Sequence, residues 1–116
     1  MKARVFESGG HAILELESPV ASVDDSVELL SACFEHRTRS VLVDHALLPP
    51  AFFELRTRFL GEFLQKLVNY RVRLALVLPP ERELSERFRE FLREAKRGTD
   101  FAAFTSRAEA EAFLAR

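Results

Sequence analysis

The sequence predicts a single α/β domain with a mainly parallel sheet, and three observations indicate this class. Runs of adjacent apolar residues, such as Val41 to Val43, are typical of strands covered on both faces. Amphipathic segments with helical spacing alternate with these runs. A Gly9-Gly10 pair joins two short alternating segments at the start. The predicted order is β-β-α-β-α-β-α-β-α, over residues 1–116.

The first three elements are a β-hairpin and a helix. Gly9-Gly10 accepts the positive φ angles of a tight type I′ turn, so "ARVFES" and "HAILELE" should pair as antiparallel strands at or near the sheet edge. Ser22 with Asp25 three residues later resembles a capping box and predicts a helix start. The apolar stripe of this helix is Val23, Val27, Leu30 and Phe34, and its end is expected near His36 or Arg37.

The middle of the chain predicts a buried strand and one long helix. "SVLVDHALL" forms the strand, and Pro49-Pro50 favours a helix start because proline is tolerated in the first turn. Apolar residues then recur at helical spacing until Asn69, which predicts a helix of roughly five turns. They are Phe52, Leu55, Phe59, Leu60, Phe63, Leu64 and Leu67.

The last part of the chain repeats the pattern of strand and helix. "RVRLALVLPP" predicts a buried strand, "LSERFREFLREAKRG" a helix and "DFAAFTS" a final strand. Ser106 with Glu109 predicts the cap of a short last helix. The residues expected to face inward from the penultimate helix are Leu84, Phe88, Phe91, Leu92 and Ala95.

Charge and composition disfavour several classes of partner. The 17 basic and 18 acidic residues are interleaved, whereas nucleic-acid binding needs clustered Lys and Arg. The apolar runs are too short to span a membrane, and Met1 to Gly10 contains no apolar signal region. The one cysteine, Cys33, excludes an internal disulfide, so a cytoplasmic location is expected. The histidine spacing suggests no metal site, and no cofactor is predicted.

The stretch "PAFFELRTRFLGEFLQKLVNYRVRLALV" resembles a bacterial family, the domain of unknown function 4180. The resemblance extends from Asp44 onward and implies no activity, and Arg58 and Leu60 stand where Gly and Ala are expected. The matching residues are Phe52, Phe53, Glu54, Leu55, Thr57, Gly61, Glu62, Gln65, Lys66, Asn69, Tyr70, Arg71, Val72, Glu94, Arg97 and Gly98. The element order also resembles the sulfate-transporter and anti-sigma-antagonist (STAS) fold, as a fold-level analogy.

The predicted long helix contains the residues of a candidate interaction surface. Its members are Glu54, Arg58, Gly61, Glu62, Gln65 and Tyr70. Charges spaced four apart from Glu54 to Lys66 form either a solvated ladder of weak pairs or a partner-binding strip. Gly61 is unfavourable in a helix unless another backbone approaches, either the sheet or a second subunit's helix. Gln65 is long enough to bridge such an approach.

Two further predictions concern the end and the start of this helix. Asn69 is predicted to be a left-handed C-cap. Near the start, where antagonist-type relatives of the STAS fold have a phosphorylatable residue, Thr57 is the first hydroxyl after Asp44. Because Thr57 is expected two turns into the helix and covered, a phosphorylation switch of that kind is disfavoured.

Asp44 and His45 form a possible ligand rim at the end of the central strand. Ligands of open α/β sheets bind at the carboxyl ends of strands, and the next helix would point its N–H groups to the same place. No nucleophile or metal-ligand spacing accompanies the pair, so no catalytic residue is assigned.

The function predicted from the sequence is therefore that of a non-enzymatic protein-interaction or regulatory module, acting as a homodimer or on another protein. The alternative is a small anionic-ligand-binding protein or enzyme with its site at Asp44 and His45.

Overall fold

The computed structural model describes residues 1–116 and contains one five-stranded sheet with four α-helices. The strands are β1 (Ala3–Ser8), β2 (His11–Leu16), β3 (Ser40–Asp44), β4 (Arg73–Val77) and β5 (Phe101–Phe104). The helices are α1 (Asp25–Glu35), α2 (Phe59–Val68), α3 (Glu86–Ala95) and α4 (Arg107–Leu114). The strands lie in the order β1-β2-β3-β4-β5, and all neighbours except β1 and β2 pair in parallel. The predicted α/β class and mainly parallel sheet are confirmed.

The opening hairpin forms as predicted. Gly9 and Gly10 have φ angles of 58° and 80°, the left-handed region that glycine adopts without steric cost. Ala3 pairs with Leu16 and Ser8 with His11, so β1 is an antiparallel edge strand.

Side chains alternate between two apolar layers. From β3, Val41 and Val43 face the larger layer, while Leu42 faces the smaller one. From β4, Leu74 and Leu76 face the larger layer, and Ala75 the smaller. The larger layer contains buried residues of α1, α2 and α3, and the smaller contains those of α4. The sheet is therefore covered on both faces, as the apolar runs predicted.

The first helix buries a different face from the one predicted. Its buried residues are Ser26, Leu29, Leu30 and Cys33, whereas Val27 and Phe34 of the predicted stripe are exposed. Both sets have helical spacing and share Leu30, so periodicity alone does not choose between them. Packing against the sheet favours the face that contains Leu29 and Cys33.

At the start of α1, one residue of the predicted capping box, Asp25, makes side-chain hydrogen bonds, whereas the side chain of the other, Ser22, makes none. The Asp25 carboxylate accepts hydrogen bonds from the backbone N–H groups of Ala21, at 2.7 Å, and Ser22, at 3.0 Å. These bonds lower the pKa of Asp25 because they stabilise its charged form. The helix itself begins at Asp25, since Ser22 makes no side-chain cap.

The predicted five-turn helix from Phe52 is wrong. The chain forms two 3₁₀ turns, Pro50–Phe53 and Leu55–Thr57, before the ten-residue α2. Arg58 separates the second turn from α2 in a left-handed conformation, with φ 64° and ψ 3°. The cause lies in the side chain of Thr57, whose hydroxyl is 2.6 Å from the Ala51 carbonyl and accepts from the Phe59 N–H at 3.2 Å. Such local bonds compete with a continuous helix.

The two remaining helices begin at serine caps, and the one at Ser106 was predicted. Ser85 accepts a hydrogen bond from the Phe88 N–H at 3.1 Å, and Ser106 accepts one from the Glu109 N–H at 3.2 Å. Phe88 is fully buried, and the other predicted inward residues of α3 pack against the larger layer. The start of α4 was therefore predictable from its cap.

An ion-pair network ties α4 to the hairpin. The Arg107 guanidinium donates to both oxygens of the Glu15 carboxylate at 2.7 Å, and Arg4 donates to one of them at 2.7 Å. Arg107 also bonds to Glu111 at 2.9 Å. The hydrogen bonds from Arg107 lower the pKa of Glu15, and the contact with Glu15 raises the pKa of Arg107. This network links residues 92 positions apart in the chain.

Replacing Glu15 with Gln should therefore destabilise the protein in a pH-dependent way. The pKa of Glu15 in the folded protein lies below its ordinary value of 4.5. Its charge therefore stabilises the fold above that value, and the contribution is lost as the pH falls through the folded pKa. We expect Glu15→Gln to lower the free energy of unfolding by about 1 kcal/mol at neutral pH. The difference from wild type should shrink as the pH falls below 4.5 and through the lower folded pKa of Glu15.

Urea unfolding across this pH range measures the effect of Glu15→Gln. Glu90→Gln, at an exposed carboxylate on α3, is the matched control and should change the free energy of unfolding by less than about 0.5 kcal/mol. A wild-type-to-variant difference that stays constant from neutral to acidic pH would contradict the assigned role of Glu15.

Candidate functional site

The structure distributes the predicted interaction surface over several elements. Glu54 lies between the two 3₁₀ turns and Arg58 precedes α2, whereas Gly61, Glu62 and Gln65 belong to α2. Glu54 makes its ion pair with Arg56, at 3.4 Å. The four-residue ladder from Glu54 to Lys66 is therefore wrong as a feature of one helix face, because α2 does not extend that far.

Gly61 has no close neighbour within the chain. It is the third residue of α2, and a Cβ atom built at this position would meet nothing within 4 Å. Close approach of the sheet to Gly61 is thus wrong. Approach by a second subunit stays a prediction.

The polar residues at the end of α2 bond to each other. The Gln65 Nε2 atom donates to the Asn69 Oδ1 atom at 2.8 Å, so Gln65 does not bridge to another element. Asn69 is the C-cap residue but has right-handed angles, φ −56° and ψ −26°. The left-handed residue is Arg71, with φ 59°, so the conformation predicted for Asn69 is wrong. The turn continues for two residues beyond Asn69 before the chain enters β4.

Three exposed apolar side chains lie together on α1 and the turn after α2. Val27, Phe34 and Tyr70 have exposed fractions of 59%, 63% and 52%. The rings of Phe34 and Tyr70 meet edge to face, with centroids 5.7 Å apart. We name these three residues the α1/α2 apolar patch. The sequence identified Tyr70 but assigned Val27 and Phe34 to the buried stripe.

Phe34 and Tyr70 separate two surface hollows. One, of about 330 Å³, is lined by Val27, Lys66 and Asn69. The other, of about 540 Å³, lies near the starts of β3 and β4 and is lined by residues such as Arg37 and Arg39. Both rings line both hollows, so the aromatic pair forms a ridge between two depressions.

At the ligand rim, the structure brings Asp44 and His45 together with Arg82. The His45 Nδ1 atom lies 2.9 Å from the Arg82 Nη1 atom, and the His45 Nε2 atom lies 4.0 Å from the Asp44 Oδ2 atom. Because arginine only donates, Nδ1 is the acceptor, and Nε2 carries the proton of the neutral ring. The guanidinium of Arg82 also lies 3.9 Å from the centroid of the Phe53 ring. The sequence missed Arg82 because it follows a different strand.

The rim residue Asp44 has a hydrogen-bond partner within the chain, and neither a thiol nor a metal-binding group lies beside it. The Asp44 carboxylate accepts a hydrogen bond from the Ala46 N–H at 3.0 Å, which caps the turn His45–Leu47. The one thiol, Cys33, is buried elsewhere, and burial raises its pKa to about 11, so it is a poor nucleophile near neutral pH. No three His, Cys, Asp or Glu side chains come together in a group that could hold a metal ion.

The profile of one protein family, described as "Domain of unknown function (DUF4180)", matches residues 10–114. The chain belongs to the DUF4180 family. The match begins earlier than the resemblance from Asp44 and includes β2 and α1. No curated protein matches the chain. None of its helices has the length and apolar character needed to cross a membrane.

Several residues that resemble the DUF4180 pattern have structural roles here. Phe52 is fully buried, and its ring contacts those of Phe53, Phe59, Phe63 and Phe101 at centroid distances of 5.1 to 6.5 Å. Thr57 is exposed rather than covered, but its hydroxyl holds the turn before α2. Arg58, where the resemblance led us to expect Gly, is the left-handed residue between this turn and α2. The motif around Phe52 therefore positions α2.

Glycine at position 58 should make the protein more stable than alanine at the same position. A left-handed conformation costs an L-residue roughly 1–2 kcal/mol, part of which is offset by the greater unfolded-state entropy of glycine. We expect Arg58→Gly to have a free energy of unfolding about 1 kcal/mol higher than Arg58→Ala, which keeps the Cβ atom. Urea unfolding of both variants is the measurement. An alanine variant as stable as the glycine variant would show that the left-handed backbone at Arg58 carries no strain.

Proposed function

We propose that this DUF4180 chain is a non-enzymatic interaction module that forms a homodimer through the α1/α2 apolar patch. The observation that carries the proposal is the clustering of Val27, Phe34 and Tyr70. They are three of the four large apolar residues that the chain exposes. Contiguous apolar surface of this kind marks interaction sites, whereas single exposed residues do not.

The shape of this face supports pairing of two identical copies. In a dimer with a two-fold axis, the same surface of each copy contacts its equivalent. A ridge beside a hollow is self-complementary under that symmetry. The Phe34 and Tyr70 ridge of one protomer can enter the Val27-lined hollow of its partner while the reverse contact forms.

The charges around the patch agree with this arrangement. The α1 segment contains three carboxylates and no Lys or Arg. Asp25 and Glu28 bond within the chain, so Glu35 is the carboxylate available to a partner. The facing part of α2 contributes Lys66, which lines the hollow. A two-fold axis that sets α1 against the partner's α2 brings opposite charges together and fixes the register.

The α2 residues of the predicted surface flank the patch in this proposal. Glu62 and Gln65 are exposed on the same helix as Lys66, and the open space above Gly61 lets a partner approach the backbone. Glu54 and Arg58 precede α2 and are assigned to the periphery.

The proposal extends to a STAS-like arrangement, supported by the hairpin followed by parallel strand-helix-strand steps. It also includes a cytoplasmic location, supported by the unpaired Cys33.

A second candidate function is binding of a small anion at Asp44 and His45. The contact between His45 and Arg82 favours it, because it places a cation beside the predicted rim at the carboxyl end of β3. The homodimer remains the preferred proposal, since the Asp44 carboxylate is already used in a turn and would repel an anion.

Truncating the aromatic ridge should dissociate the dimer. We expect the wild type to elute at twice the chain mass in size-exclusion chromatography with light scattering. Phe34→Ser with Tyr70→Ser should weaken the dimer at least ~30-fold, because buried interface aromatics contribute about 2 kcal/mol or more when truncated. The matched control, Glu90→Ser with Arg97→Ser, changes one exposed residue of α3 and one exposed residue of the turn after it, and should remain dimeric.

A third arm tests the flanking residues of α2. If Gly61→Arg with Gln65→Glu also dissociates the dimer, while circular dichroism shows an intact fold, the interface extends along α2. If this variant stays dimeric, the interface is limited to the apolar patch. A monomeric wild type, or a dimer that survives loss of Phe34 and Tyr70, would overturn the proposal.

A further inference from the structure

A cleft between α3 and α4, at the carboxyl ends of β4 and β5, contains a concentration of positive charge. Its volume is about 370 Å³, within the range of small-ligand sites. Four basic residues line it, Arg82, Arg89, Arg93 and Lys96, against one acidic residue, Glu109. The whole chain has 17 basic and 18 acidic residues, so this excess is a local feature. We name it the α3/α4 cleft.

Three of these cations have no carboxylate partner, and one of them, Arg82, bonds to His45 instead. The Arg89 Nε atom donates to the Leu84 carbonyl at 3.4 Å, and the Lys96 Nζ atom lies 5.2 Å from the centroid of the Phe104 ring. Neither side chain has a carboxylate oxygen within 4.0 Å, whereas Arg93 pairs with Glu86 at 3.2 Å. The cleft therefore holds positive charge that the fold leaves unneutralised.

The spacing of the cations on α3 opposes helix stability. Arg89, Arg93 and Lys96 are separated by four and three residues, so they lie on one helix face, where like charges repel. Arg89 also lies in the first turn, where the helix dipole disfavours a cation. An anion bound between these side chains would relieve both effects.

The rest of the lining is mainly apolar and requires a ligand with an apolar part. Leu92, Ala103 and Phe104 contribute to it, and Ala103 and Phe104 belong to β5 at the carboxyl edge of the sheet. An inorganic anion alone would leave this surface exposed to water. A ligand with an apolar body and an anionic head would use both parts of the cleft.

We propose that the α3/α4 cleft binds a small phosphomonoester with an apolar or aromatic body. The phosphate dianion matches the charge of Arg89 and Lys96 together, whereas a monocarboxylate would leave one cation uncompensated. The body lies against Leu92 and Phe104. This site is separate from the α1/α2 apolar patch and does not depend on dimer formation.

Calorimetric titration with phenyl phosphate tests the assignment. Wild type should bind phenyl phosphate at least tenfold more tightly than inorganic phosphate or benzoate. Arg89→Gln with Lys96→Gln should weaken that binding at least tenfold. The matched control, Lys2→Gln with Arg56→Gln, removes one Lys and one Arg outside the cleft and should stay within twofold of wild type.

Two further measurements locate the bound phosphate. Asp44→Asn should leave the affinity for phenyl phosphate within twofold of wild type, because Asp44 neither lines the cleft nor bonds to a residue that does. Amide chemical-shift changes in the labelled wild-type protein should cluster at Lys96, Phe104 and Thr105. This mapping needs no substituted protein, so it decides the matter even if a variant fails to fold.

Several outcomes would overturn the inference. These are no binding of phenyl phosphate by wild type, equal binding after loss of Arg89 and Lys96, and shift changes confined to the rim around His45. Loss of binding in the charge-matched control to the same extent as in the cleft variant would also overturn it, since it would indicate attraction by net charge alone.

Discussion

Burial of β3 and β4 on both faces is the constraint on which the rest of the structure depends. Val41, Val43, Leu74 and Leu76 require cover on one side, and Leu42 requires it on the other. Three helices satisfy the first requirement and α4 satisfies the second. Because the two central strands are fixed in this way, the candidate surfaces near their ends are also fixed in position. Phe34 and Tyr70 lie before these strands, whereas His45 and Arg82 follow them.

The candidate surfaces therefore occupy opposite edges of the sheet. A second copy seated on Phe34 and Tyr70 would leave the cleft around Arg89 and Lys96 open to solvent. Parallel strands give this separation directly, since all their amino ends meet at one edge and all their carboxyl ends at the other. Occupation of one surface does not sterically exclude occupation of the other.

The strands were predictable because continuous apolar runs have few other uses in a chain of this size. The long helix before Asn69 was predicted wrongly, because 3₁₀ turns also repeat their apolar residues about every three positions. The sequence also does not show which local hydrogen bonds the Thr57 hydroxyl makes. Two overlapping apolar stripes could form the buried face of α1, and the sequence does not choose between them. Phe34 was therefore wrongly predicted to be buried. The cleft was missed because its residues come from separate segments. The spacing of Arg89, Arg93 and Lys96 was the available signal.

Cover of the smaller apolar layer by α4 alone has a consequence for synthesis of the chain. Ile13 and Leu42 are made early, yet Phe113 and Leu114, which cover them, leave the ribosome about 70 or more residues later. During that interval the nascent sheet exposes a strip of apolar surface that chaperones recognise and that favours aggregation. The Arg107 and Glu15 contact then fastens the last cover to the first hairpin. Translation speed between β3 and α4 should therefore matter more for yield than speed over the opening hairpin.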